Sequence, residues 1–153
     1  MLASLSEPVF GLANLWVLPF WALMIFLPGW GGTRRLMAGV WPVAVLAVAY
    51  AGLLLAQVGA PGGADLLAGL ASPSAAGIAA LLGNPAGAAI GWIHFLAFDL
   101  FVGRWAYLDS RERQMPVWLA SPALGFIFLA GPLGFLLYLL ARTSRRPAAM
   151  TQP

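Results

Sequence analysis

His94 and Asp99 lie five residues apart in one apolar run, Gly91-Trp92-Ile93-His94-Phe95-Leu96-Ala97-Phe98-Asp99-Leu100-Phe101-Val102-Gly103-Arg104-Trp105. The chain has 1 histidine and 5 acidic residues, so both types are scarce. A carboxyl and an imidazole in a water-poor setting can donate and remove protons as general acid and base. An aspartate at the centre of a lipid-embedded helix costs about 2.5–3.5 kcal/mol on insertion scales, so such groups usually face a protein interior and serve function. Asp99 is therefore the first catalytic candidate and His94 the second. On a regular helix, at about 100° per residue, the two project about 140° apart and share no face. Either they bound one cleft from two edges, or a local irregularity rotates them together, or only one is catalytic. Arg104 is also five residues from Asp99, so it is no i,i+4 partner. It either snorkels to lipid head groups or joins the site.

Other chemistries find little support. There is no cysteine, so no disulfide, thiolate nucleophile or cysteine metal cluster can form. One histidine without cysteine makes a zinc site improbable, and bis-histidine haem would need a dimer. No glycine-rich loop leads into a helix with a lysine, so a nucleotide site is not expected. Neither a metal nor a cofactor is predicted.

The elements that must position these residues are membrane helices. Of 153 residues, 61% are hydrophobic and 8% charged; the mean hydropathy is +0.87. Soluble domains carry about 25% charged residues, so this chain cannot cover a globular surface. An all-α polytopic membrane protein follows, one domain over residues 1–146. Its spans are expected at about 8–28, 36–57, 86–107 and 117–140, and 147–153 should be a disordered tail. The sequence pI near 10.2 resembles a nucleic-acid signal. The basic residues are all arginines, however, scattered in loop and tail pairs. That pattern sets topology and contacts lipid rather than nucleic acid.

Pro8 suits a helix start, and Pro19 is expected to kink the first span, which also carries Asn14. An interhelical hydrogen bond from Asn14 would contribute roughly 0.6–2 kcal/mol; a contact to a ligand is the alternative. Gly29-Trp30-Gly31-Gly32-Thr33-Arg34-Arg35 is read as a tight polar turn. Gly59-Ala60-Pro61-Gly62-Gly63 breaks the chain after the second span. Ser72-Pro73-Ser74 then cuts the following apolar stretch into two short pieces, expected as interfacial or re-entrant helices. A fifth crossing through residues 64–82 is the competing reading. Asp109-Ser110-Arg111-Glu112-Arg113-Gln114 is read as a polar loop, and Pro122 and Gly131-Pro132 as kink points in the last span. With four spans, Arg34, Arg35, Arg111 and Arg113 oppose Arg142, Arg145 and Arg146, so charge does not decide orientation.

The motif from Gly91 to Trp105 resembles the signature of the abscisic-acid-deficient-4-like family, which includes plant neoxanthin synthase. Ala13-Asn14-Leu15-Trp16-Val17-Leu18-Pro19-Phe20-Trp21 resembles that family's first span. Phe128-Leu129-Ala130-Gly131-Pro132-Leu133-Gly134-Phe135-Leu136-Leu137-Tyr138-Leu139-Leu140-Ala141-Arg142 resembles its last. The resemblance implies a small four-span protein and an isomerase of a carotenoid or related isoprenoid lipid. A non-catalytic carotenoid- or lipid-binding or assembly protein is the alternative. Opening an epoxide to an allene needs one acid and one base, roles that fall to Asp99 and His94. Asn14, Trp21, Trp92, Phe98 and Arg104 are the implied substrate contacts. The implied partners are the isoprenoid substrate, membrane lipids, and a second copy or a partner enzyme. The lack of a transit-like or signal-like leader leads us to expect a bacterial cytoplasmic membrane.

Overall fold

The computed structural model describes residues 2–143, with side chains from Leu5 onward. The expected tail, and Arg145 and Arg146 before it, lie outside the described residues. Those residues form helices only: α1 (Leu2–Phe26), α2 (Gly31–Ala38), α3 (Trp41–Val58), α4 (Gly63–Ala71), α5 (Ala75–Leu82), α6 (Pro85–Glu112) and α7 (Val117–Thr143). Four stretches are long and apolar enough to cross a membrane: Leu5–Phe26, Trp41–Val58, Pro85–Glu112 and Val117–Thr143. Within an apolar 18-residue stretch of each, only 17% to 33% is buried inside the protein, so most of that stretch needs another apolar solvent. Leu12, Leu15, Val48, Leu55, Leu129 and Leu140 are among the exposed side chains. Water would not tolerate so much apolar surface; a bilayer does. The chain is an integral membrane protein.

The punctuation residues act largely as their chemistry dictates. The breaker cluster ends α3, and Gly62 takes the left-handed conformation (φ 89°) that costs glycine little. Ser72-Pro73-Ser74 separates α4 from α5, helices of 9 and 8 residues. Neither reaches the length of about 20 residues that a crossing needs, which removes the fifth span. The Ser74 hydroxyl accepts the Gly77 N–H at 3.0 Å, and the Asn84 side-chain oxygen accepts the Gly87 N–H at 2.9 Å. Each satisfies one of the orphan donors at a helix start.

Several local expectations need correction. α1 begins at Leu2, before Pro8, so Pro8 does not open it, and Pro19 lies within the same helix. Gly31 to Arg35 form no tight turn but belong to the short helix α2. The second span therefore starts at Trp41, after a break at Gly39-Val40. Asp109 to Glu112 are the last turn of α6 rather than loop. That helix closes at Gln114, whose φ is 52°; the Met115 N–H reaches the Ser110 carbonyl at 2.9 Å and the Gln114 N–H the Arg111 carbonyl at 3.2 Å. This is the Schellman pattern, with Pro116 following. In α7 only Ala130 and Gly131 leave helical geometry, so Gly131-Pro132 breaks the helix and Pro122 does not.

Contacts divide the chain into two compact units. Among the described residues, 2–16 and 43–97 form the first, and 17–42 and 98–143 the second. Helices α1 and α6 each contribute residues to both. The first unit takes α4, α5 and nearly all of α3; its buried residues include Ala13, Leu46, Ala89 and Ile93. The second takes α2 and α7; its core includes Val17, Met24, Leu100, Tyr107, Leu124, Ile127 and Tyr138.

Candidate functional site

His94 belongs to the first unit, where a cavity of about 690 Å³ opens. Its walls come from α3, α4, α5 and the first part of α6. Most of the lining is aliphatic or glycine, and the polar exceptions are Tyr50, Gln57, Asp65, Asn84 and His94. Tyr50 and Gln57 stand seven residues apart, two turns along one face of α3. The His94 ring lies 5.6 Å from the Tyr50 ring and 6.1 Å from that of Phe95, centroid to centroid. An apolar cavity of this size with a few convergent polar groups is the usual form of a small-molecule site. An imidazole on its wall can accept or return a proton, and a phenol beside it can orient an oxygen of the ligand.

Asn14 and Trp92 also belong to the first unit but are not among the residues lining this cavity. The Trp92 indole N–H donates to the Asn14 side-chain oxygen at 3.1 Å. The Asn14 amide donates to the Phe10 carbonyl at 2.8 Å. The Phe10 ring lies 6.0 Å from that of Trp92. Asn14 therefore makes the interhelical hydrogen bond expected of a lone amide in a span, with Trp92 as its partner on α6.

Asp99 and the remaining candidates belong to the second unit. The half-buried Asp99 carboxyl faces Gly131, so closely that a β-carbon there would collide with its oxygen. This is the point where α7 loses helical geometry. Pro132 has no N–H for the Phe128 carbonyl, so the break frees polar backbone inside an apolar span. Asp99 meets that break. It can serve there as a proton-transfer group or as a polar neighbour of irregular backbone. Trp21 is 3% exposed; it packs on Gly103, with its ring 5.3 Å from that of Phe128. Phe98 is 58% exposed, on the lipid-accessible surface. Arg104 is neither a carboxylate partner nor a free head-group anchor. Its Nε donates to the Gly39 carbonyl at 2.9 Å and its Nη2 to the Ala38 carbonyl at 2.7 Å. Both acceptors lie at the end of α2, where carbonyls lack intrahelical partners and a cation is favoured.

Two groups escaped sequence reasoning. The first is the polar lining of the cavity, Tyr50, Gln57, Asp65 and Asn84; the shared face of Tyr50 and Gln57 was the available signal. The second is a cluster on Asp109. Its carboxylate accepts from the Tyr138 hydroxyl at 2.6 Å, from Arg113 Nε at 2.9 Å, and from Arg142 at 2.8 and 3.1 Å. The Arg142 guanidinium also lies 5.4 Å from the centre of the Trp105 ring. No local spacing links residue 109 to residues 138 and 142.

Among the described residues, no group of three or more histidine, cysteine or acidic side chains could hold a metal ion. No curated protein and no solved structure matches the chain. A family model described as ABA DEFICIENT 4-like matches residues 8–138, which include all four apolar helices in whole or in large part and both units. The chain belongs to the ABA DEFICIENT 4-like family.

Proposed function

We propose that the protein binds an isoprenoid lipid of carotenoid type in the first unit's cavity and isomerises it by proton transfer. The observation that carries this reading is His94, beside Tyr50, on the wall of an apolar cavity of about 690 Å³. The aliphatic walls suit a terpenoid ring and the start of its polyene. The polar groups suit one or two ring oxygens. For an epoxide, protonation at oxygen opens the C–O bond. Loss of a proton from the adjacent chain then forms the new double bond, and no atom is gained or lost. His94 is the proposed group for the second proton; Asp99, which is not among the residues lining this cavity, is kept as a separate proton-transfer candidate that the Asp99→Asn variant tests. The composition, rich in alanine and glycine with arginine in place of lysine, supports a bacterial cytoplasmic membrane.

The test is incubation of the purified protein in nanodiscs with a panel of carotenoids, including epoxides, followed by chromatography and mass analysis. A product of unchanged mass and altered retention is expected. His94→Ala should lower its rate by about 10²–10⁴-fold, the usual contribution of a general acid or base. Binding without conversion across the panel would instead favour a carrier, a reading that the same cavity supports. Asp99→Asn assayed in parallel separates chemistry from packing: lost conversion in a stably folded variant assigns it the acid role, and retained conversion removes it.

A further inference from the structure

We propose that α7 is a re-entrant hairpin, which enters and leaves the membrane by one face. Arg34, Arg35, Arg111, Arg113 and Arg142 then share that face, and it is the cytoplasmic one. Length and composition alone would let Val117–Thr143 cross, but its path does not run straight. Ala130 (φ −148°, ψ 46°) and Gly131 (φ 3°, ψ −81°) are non-helical. Beyond them the chain reverses: a β-carbon on Gly134 would fall on the backbone of Phe126 and Ile127. Residues seven positions apart in a continuous helix stand about 10 Å apart along its axis.

The lateral contacts give the direction of each arm. On the first arm, the Ser121 hydroxyl donates to the Ile25 carbonyl at 2.8 Å, and Phe128 meets Trp21 further on. That arm runs antiparallel to α1. On the second arm, Gly131 meets Asp99, Phe135 and Tyr138 meet Trp105 at ring distances of 5.7 Å, and Arg142 meets Asp109 at 2.8 Å. Residue numbers rise together on both helices, so this arm runs parallel to α6. A straight helix from Val117 to Arg142 would be about 37 Å long. Its far end could not return to Asp109, because the Met115–Ser110 hydrogen bond holds the start of α7 beside the end of α6. The arms, residues 117–129 and 132–143, are each about 18–20 Å long, which reaches the middle of a hydrocarbon core about 30 Å thick. Asp99 lies ten residues, about 15 Å, from Asp109 along α6, so the carboxyl at the hairpin tip sits near mid-bilayer.

This path removes the charge stalemate of a straight fourth span. The Tyr107 hydroxyl donates to the Pro28 carbonyl at 3.0 Å, which brings the end of α1 beside the end of α6. Arg34 and Arg35 on α2, Arg111 and Arg113 at the end of α6, and Arg142 at the end of the second arm then lie toward one face. An arginine excess of this kind marks the cytoplasmic side.

The chain has no cysteine, so it can be tested without a background to remove. Glu112→Cys and Thr143→Cys are placed singly at exposed positions, and oriented bacterial vesicles are treated with a membrane-impermeant maleimide. Both cysteines should label in inside-out vesicles and stay protected in right-side-out ones. Labelling from opposite faces would overturn the hairpin; labelling of both from the outer face would overturn the sidedness. Spin labels at the same two positions give a second reading in nanodiscs. A separation of about 15–25 Å is expected, and one of about 40 Å, the length of a straight helix, would refute the hairpin.

Discussion

Gly134→Ala and Gly125→Ala place the same methyl group on the same helix, nine residues apart, with opposite expected signs. At Gly125 nothing lies within 4 Å of the added carbon. Removing a helix-interior glycine there should stabilise the protein by about 0.5–1 kcal/mol. At Gly134 the same carbon meets main-chain atoms of Phe126 and Ile127. Backbone cannot rotate away as a side chain can, so the two arms must separate by roughly 1 Å or more to restore ordinary contact distance. Ile127 and Leu124 beside them are fully buried, so the shift spreads through the core of the second unit. Overpacking of this kind costs about 1–3 kcal/mol. The helix-forming gain is common to both variants and cancels in their difference, which should be about 1–3 kcal/mol against Gly134→Ala. Reversible denaturation in mixed micelles, or thermal shift in one detergent, reads that difference. Equal stability of the two variants would refute the close approach, because a straight α7 treats both positions alike.

Arg104→Ala should destabilise the second unit by about 1–2 kcal/mol, since two carbonyls at the end of α2 lose their donors; denaturation in micelles measures it, and lipid conversion should survive in the folded fraction. Asn14→Leu should cost about 0.6–2 kcal/mol, through the lost bond to Trp92; a small blue shift in tryptophan emission, from an indole that has lost its acceptor in apolar surroundings, would accompany it. Ile78→Trp narrows the first unit's cavity from a lining position and should lower the bound isoprenoid while leaving the unfolding transition within about 1 kcal/mol.

The broad fold was legible because it rests on local rules. Apolar length marked four helices, Ser72-Pro73-Ser74 divided α4 from α5, and Gly131-Pro132 located the break in α7. What stayed hidden was long-range. A glycine-proline pair states that a helix breaks, but not the angle; the direction of the second arm depends on Gly134 against Ile127 and on Asp109 holding Arg142. Arg34 and Arg35 read as a turn because the glycines around them disfavour helix, yet Arg104, nearly 70 residues away, caps the carbonyls that end α2. The scarcity of ionisable groups picked out His94 and Asp99 as residues to locate. It could not show that His94 lines a cavity in one unit and that Asp99 meets a helix break in the other. Nor could it show Asp65 on the wall that His94 shares, because α4 is brought there by turns at glycines 59, 62 and 63.

We propose that an isoprenoid lipid occupies the cavity bearing His94. Mass spectrometry of lipids extracted from the purified protein, compared with Ile78→Trp purified from the same carotenoid-producing cells, tests it most directly. A near-stoichiometric isoprenoid is expected in the unmodified protein, and a clearly lower amount in the narrowed-cavity variant. Bulk phospholipid alone, or equal isoprenoid in both proteins, would contradict it.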